Sequence, residues 1–94
     1  MTESSVIVTH RTDELDDLAR TLRLLKGQAG LSLNQLSRRS WYSRSAIDRY
    51  LNGKVFPPRQ AVASITEICG GDTGAVITLW ERACLLRAER RASA

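Results

Sequence analysis

The stretch 32–58, SLNQLSRRSWYSRSAIDRYLNGKVFPP, constrains the fold most, because it carries the start and stop signals of two short helices. Ser32 and Gln35 have the spacing of a capping box, which marks the first residue of a helix. Ser43 can cap a second helix, whose apolar residues recur at the helical spacing i, i+3 and i+4: Ile47, Tyr50 and Leu51. The sequence therefore predicts two short helices joined by a tight turn, over about residues 32–53.

The second of these helices has a polar face that is rich in arginine. Its members are Arg44, Ser45, Asp48 and Arg49. Gly53 ends the helix, because glycine adopts the left-handed conformation at little cost. A helix-turn-helix reader of DNA needs this arrangement, since polar side chains from the start of its second helix meet the base edges in the major groove.

This segment resembles the helix-turn-helix of the lambda-repressor/Cro group, also called the XRE family, in the form found in small actinobacterial regulators. The matching pieces are LNQLS at 33–37, SRSAIDR at 43–49, and NGK at 52–54 with a proline after it. The likeness extends from about Leu18 to Leu79. It implies an all-α domain of five helices and implies that Arg44, Ser45, Asp48 and Arg49 read the bases. Arginine suits this role, because it can pair bidentately with guanine.

Two positions depart from the pattern of this family. Ser37 stands where alanine is usual, and Trp41 stands in the turn where glycine is usual. A bulky residue tolerates a positive φ poorly. We therefore expect a turn that is longer or differently shaped, with consequences for the angle between the two helices.

The positive charge of the chain is concentrated on the same region. Residues 18–59 carry nine basic residues and one acid, a net charge of +8, whereas the remaining residues carry five basic and nine acidic residues, a net charge of −4. This asymmetry indicates a partner that is a polyanion. Hydroxyl, amide and cationic groups near the helix starts suit phosphate oxygens. The expected phosphate contacts are Ser32, Asn34, Arg38, Arg39, Ser43 and Lys54.

Five helices are predicted in one domain of residues 12–94, preceded by a flexible arm at residues 1–11. The first helix runs from about 13 to 28, with a core stripe of Leu15, Leu18, Leu22, Leu25 and Ala29. The fourth runs from about 59 to 69. The last runs from about 73 to 91 and is apolar on more than one face. That excess predicts a homodimer surface at Leu79, Leu85 and Leu86 that forms only on DNA, a protein-partner surface, or a cover for the cleft between the first and fourth helices.

Other chemistry has little support in the sequence. Cys69 and Cys84 are either core residues of a reducing compartment or a redox pair, and with His10 they lack the spacing of a zinc site. No cofactor, catalytic group or metal is expected. The chain has no apolar run long enough for a membrane span and no secretory signal, so we expect a cytoplasmic, nucleoid-associated protein. Two functions stay open: a sequence-specific regulator that binds double-stranded DNA, and a protein-interaction adaptor on the same scaffold.

Overall fold

Five α-helices form the part of the chain that the structure describes. The structure is a computed structural model that describes the backbone of residues 2–93 and the side chains of residues 16–92. The helices are α1 (Thr2–Ala29), α2 (Leu33–Arg39), α3 (Arg44–Leu51), α4 (Arg59–Ile68) and α5 (Thr73–Ser93). No strand occurs within residues 2–93. The predicted all-α, five-helix fold is confirmed.

Helix α1 is longer than the sequence pattern indicates. Its backbone is helical from Thr2, so the predicted start near residue 13 is wrong. Thr12 and Asp13 can cap a helix, but the first glycine of the chain is Gly27 and α1 contains no proline, so no helix-breaking residue separates residues 2–11 from the rest of the helix. The flexibility of residues 1–11 stays a prediction.

Helices α2 and α3 begin where their capping residues predict. The Ser32 hydroxyl accepts a hydrogen bond from the Gln35 backbone N–H at 3.1 Å, and the Gln35 side-chain oxygen accepts one from the Ser32 N–H at 2.8 Å. The Ser43 hydroxyl accepts from the Ala46 N–H at 3.1 Å. Each bond satisfies a backbone donor that a helix start leaves without an intrahelical partner, and together they fix where both helices begin.

The turn between α2 and α3 has a shape that suits its aromatic residues. Among the described residues, only glycines have a positive φ, so Trp41 does not take the strained conformation. Instead, the Ser40 hydroxyl accepts from the Tyr42 N–H at 3.2 Å, and the Ser37 hydroxyl donates to the Tyr42 carbonyl at 3.0 Å. The serine in place of the usual alanine therefore closes the turn that Trp41 requires.

All five helices contribute to one apolar core. Its fully or nearly fully buried members are Leu18, Leu22, Leu36, Ile47, Leu51, Val62, Ile65, Val76 and Ile77. The predicted stripe on α1 is confirmed for Leu18 and Leu22, and Leu25 packs against the core while half-buried. Ala29 is exposed, because the chain leaves the core there and turns at Gly30, which has a φ of 69°. The side chain of Leu15 lies outside the described residues.

Helix α5 packs on both α1 and α4, and Trp80 attaches it to the segment that precedes α4. The Trp80 indole N–H donates to the Pro57 carbonyl at 2.9 Å, and its ring lies 6.0 Å from the ring of Phe56. On the Phe56 ring, the Arg87 guanidinium lies 4.3 Å from the centroid, in the geometry of a cation–π contact. Trp80 is therefore a packing residue of the domain.

The two cysteines are free thiols, each half-buried. Burial raises the pKa of the Cys69 thiol, and the positive charge of Lys26 opposes that rise. Since the thiolate is the reactive form of cysteine, the raised pKa makes Cys69 less reactive at neutral pH. This favours the interpretation of Cys69 as a packing residue.

Candidate nucleic-acid interface

Helix α3 presents one face to the core and the opposite face to solvent. Ile47 is fully buried and Leu51 nearly so, whereas Arg44, Ser45 and Arg49 are exposed. The four predicted base-reading residues thus lie on one helix whose other side is fixed by the core. Three of them protrude and Asp48 is half-buried. A rigid support of this kind is what an accurate reading of base edges requires.

A shallow concavity of about 250 Å³ brings three of these four residues together. Arg44, Ser45 and Asp48 line it on the α3 side, and Leu33 lines it on the α2 side. Arg44 is the first residue of α3, so its guanidinium lies at the end of the helix that carries the positive pole of the dipole. The concavity combines donors, an acceptor and an apolar wall, and base edges present complementary groups.

The Asp48 carboxylate is held in place by its neighbour one turn away. The Asn52 side-chain amide donates to the Asp48 carbonyl at 2.9 Å and to one carboxylate oxygen at 3.0 Å. Asp48 is the one acid of residues 18–59, so it opposes the positive charge around it. A fixed carboxylate repels phosphate and can accept from the amino group of cytosine.

A second concavity, of about 240 Å³, shares Leu33 and Asp48 with the first. Arg23, Lys26 and Gly27 of α1 line it together with Asp48, Leu51 and Asn52. The Arg23 guanidinium donates a hydrogen bond to the Leu51 carbonyl, across 28 residues of sequence. A cation at the carbonyl end of a helix is favourable for the helix dipole, so Arg23 ties α1 to the end of α3.

The six predicted phosphate contacts are all exposed: Ser32, Asn34, Arg38, Arg39, Ser43 and Lys54. In the caps of α2 and α3, the hydroxyls of Ser32 and Ser43 act as acceptors. A hydroxyl that accepts still carries a hydrogen that it can donate. Both cap hydroxyls therefore have a donor to offer to a phosphate oxygen.

Sequence reasoning missed the roles of two residues of this surface, Arg23 and Leu33. Arg23 lies a full helix away in the chain, and no local pattern indicates its bond to Leu51. Leu33 was identified only within the matching piece LNQLS, yet it lines both concavities. Trp41, in contrast, is expected from the sequence to be an exposed aromatic residue of the turn, the kind that often anchors protein interfaces, and it is 95% exposed. An aromatic residue in a turn between two polar stretches can be recognised from sequence, whereas a hydrogen bond to a distant backbone carbonyl cannot.

Residues 17–79 match a model of the helix-turn-helix domain family. The chain belongs to this family. The family is associated with XRE-like DNA-binding domains and is typically not enzymatic, which confirms the resemblance seen in the sequence and supports a DNA-binding role for this helix-turn-helix protein. The match does not address the actinobacterial type. No curated protein and no solved structure matches the chain significantly.

On α5 of this helix-turn-helix protein, the three predicted docking residues differ in exposure. Leu85 is 66% exposed, whereas Leu79 and Leu86 are half-buried. Leu79 packs against the core. Leu85 lies in an apolar groove of about 380 Å³ together with Trp80, Glu81, Cys84 and Ala88. The structure thus leaves Leu85 as the most accessible of the three.

The described residues provide neither a metal site nor a membrane span. No group of three or more histidine, cysteine or carboxylate side chains in that part of the chain could hold a metal ion. None of the helices described is both long and apolar enough to cross a membrane.

Proposed function

We propose that this helix-turn-helix protein is a transcriptional regulator that binds specific sequences of double-stranded DNA with α3 in the major groove. The exposed polar face of α3, fixed from behind by the buried Ile47, is the observation that carries the proposal. Arg44, Ser45, Asp48 and Arg49 contact bases, and the six exposed residues around them contact phosphates. Acting on DNA, the protein would work in the cytoplasm, at the nucleoid.

A titration with duplex DNA tests this function directly. Random duplex should bind weakly at low salt and much more weakly at higher salt, because each neutralised phosphate releases a counterion. Selection from a pool of random duplexes should then recover a shared sequence, and the selected duplex should bind far more tightly than random DNA. Absence of binding to any duplex at low salt would contradict the proposal.

Lys54 provides a test of the phosphate contacts. With about five or six contacted phosphates per subunit, the slope of log affinity against log salt should be near −5. Replacing Lys54 with alanine should flatten this slope by about one, because one counterion fewer is released, and should leave the preference for the selected sequence unchanged. Arg82→Ala, an exposed change on α5, is the matched control. A slope equal to that of the wild type would remove Lys54 from the contacts.

We further propose that two copies bind to one site and pair through α5. One helix-turn-helix unit reads only a few base pairs, and dimers of such units bind half-sites about 34 Å apart. A twofold interface uses the same patch on both copies. The groove around Leu85 offers that patch, since it is apolar, exposed and remote in sequence from α3.

Leu85→Glu should abolish cooperative loading of two copies on a palindromic duplex, because it places a charge in the apolar interface. Binding of a single copy to a half-site should be unaffected. Sedimentation with and without the duplex measures both. Leu24→Glu is the control, because Leu24 is another exposed leucine, 58% accessible, on α1. Unchanged cooperativity in Leu85→Glu would show that α5 is not the dimer surface.

The protein-interaction adaptor is the second candidate function, and the exposure of Trp41 favours it. Exposed tryptophans often become the central anchors of protein interfaces, and this one is 95% exposed. An adaptor would show little affinity for duplex DNA at either salt concentration. The titration described above therefore separates the two functions.

A further inference from the structure

Trp41 has no packing role that explains its presence in the turn. Its side chain is 95% exposed, although a tryptophan can bury more apolar surface than most residues. Its neighbours are held: Ser40 and Tyr42 are joined by a hydrogen bond of 3.2 Å, and Ser37 holds the Tyr42 carbonyl. The ring of Tyr42 also packs edge-on against Tyr50, with 6.2 Å between centroids. The turn therefore keeps Trp41 in solvent.

The surroundings of Trp41 indicate what it meets. Arg38, Arg39 and Arg44 lie within three residues of it and are all exposed. Ser43, two residues after Trp41, caps α3. The start of α3 is the part of the protein that we propose lies in the major groove. An aromatic ring between exposed arginines suits an anionic partner better than an apolar protein surface, because such a surface would leave the three charges to be desolvated without partners.

We propose that Trp41 is a further contact to the DNA backbone, with its ring packed on a deoxyribose and its indole N–H donated to a phosphate oxygen at the edge of the groove. The indole has one apolar body and one donor, and a nucleotide backbone offers an apolar sugar next to charged acceptors. Sugar and phosphate contacts position a protein on DNA without reading sequence. This inference rests on the proposed function, and it assigns Trp41 a task in affinity rather than in specificity.

The test compares the wild type with Trp41→Ala and Trp41→Phe on both random duplex and the selected duplex. Trp41→Ala should weaken both by about tenfold, the factor that corresponds to 1.4 kcal/mol. Trp41→Phe should lose less, because it keeps an aromatic ring and lacks only the N–H donor. Because the side chain is almost fully exposed, neither change should lower the stability of the fold. A thermal melt of each variant checks this.

Tryptophan fluorescence gives a second, independent measurement. On a half-site duplex, which a single copy binds, DNA should change the emission of the wild type and leave that of Trp41→Phe unchanged, since the remaining tryptophan, Trp80, is packed against Phe56 and Pro57 and no second copy covers the α5 groove that it lines. Affinities of Trp41→Ala within twofold of the wild type on both duplexes would overturn the inference and leave the proposed function intact. A loss confined to the selected duplex would also overturn it, because Trp41 would then read a base. If the wild type binds neither duplex, the proposed function itself fails.

Discussion

Replacing Ile47 with alanine is expected to lower the free energy of unfolding by about 2–5 kcal/mol. Ile47 is fully buried and, with Leu51, anchors α3 in the core. Alanine removes three carbon atoms there and leaves a cavity that the surrounding helices can fill only in part. A domain of this kind has a total stability of about 5–15 kcal/mol, so the variant should lose a large fraction of its stability. Denaturant unfolding measures the loss.

Ser45→Ala is the matched control for Ile47, since Ser45 lies on the exposed face of the same helix. The stability of Ser45→Ala should stay within about 0.5 kcal/mol of the wild type, while its preference for the selected sequence over random DNA should change. Ile47→Ala should lose stability. At temperatures where it remains folded, it should keep the preference for the selected sequence. A stability loss under about 1 kcal/mol for Ile47→Ala would mean that α3 is not fixed to the core through this residue.

The helix-turn-helix could be predicted from the sequence because its signals are local. The capping box at Ser32 and the cap at Ser43 each span four residues, and the structure places both helix starts at these caps. The buried face of α3 follows from a helical period of apolar residues. Such patterns depend on neighbouring backbone groups, and the rest of the fold does not override them.

The length of α1 could not be predicted by the same reasoning. A run of threonine and aspartate at 12–13 looks like a cap, but a capping residue stops a helix only if the preceding backbone leaves the helical conformation. Nothing in residues 2–11 requires that, since they contain neither glycine nor proline. The structure therefore extends the helix to Thr2.

Contacts between distant residues were also outside the reach of sequence patterns. The bond from Arg23 to the Leu51 carbonyl and the bond from Trp80 to the Pro57 carbonyl join segments 28 and 23 residues apart. Each depends on the position of a backbone carbonyl in another segment. Every residue has such a carbonyl, so the residue type does not indicate which one accepts the bond. The Arg23 bond bears on the candidate site, because it fixes the end of α3 opposite Arg44.

The shape of the turn between α2 and α3 could be predicted only in part from Trp41. Trp41 indicated that the turn avoids a positive φ, and the structure agrees. The compensating role of Ser37 was not foreseen, because its hydrogen bond to the Tyr42 carbonyl requires the turn to exist first. The two departures from the family pattern are thus one feature of this chain.

Arg44→Ala is expected to reduce the preference for the selected sequence over random DNA by about tenfold to a hundredfold, within the 1–3 kcal/mol that a bidentate contact with guanine represents. Arg44 begins α3, is exposed, and lines the concavity with Ser45 and Asp48. We accordingly expect at least one guanine in each half-site. Competition titrations of the two duplexes against wild type and variant measure the ratio.

Lys54→Ala is the matched control for Arg44→Ala, since both remove one positive charge from an exposed residue of the same basic region. If Arg44 reads a base and Lys54 holds a phosphate, Lys54→Ala should weaken both duplexes equally, whereas Arg44→Ala should weaken the selected duplex more than the random one. An equal loss on both duplexes for Arg44→Ala would contradict base readout and reduce Arg44 to a phosphate contact. Readout would then fall to Ser45, Asp48 and Arg49, and the expectation of a guanine would rest on Arg49.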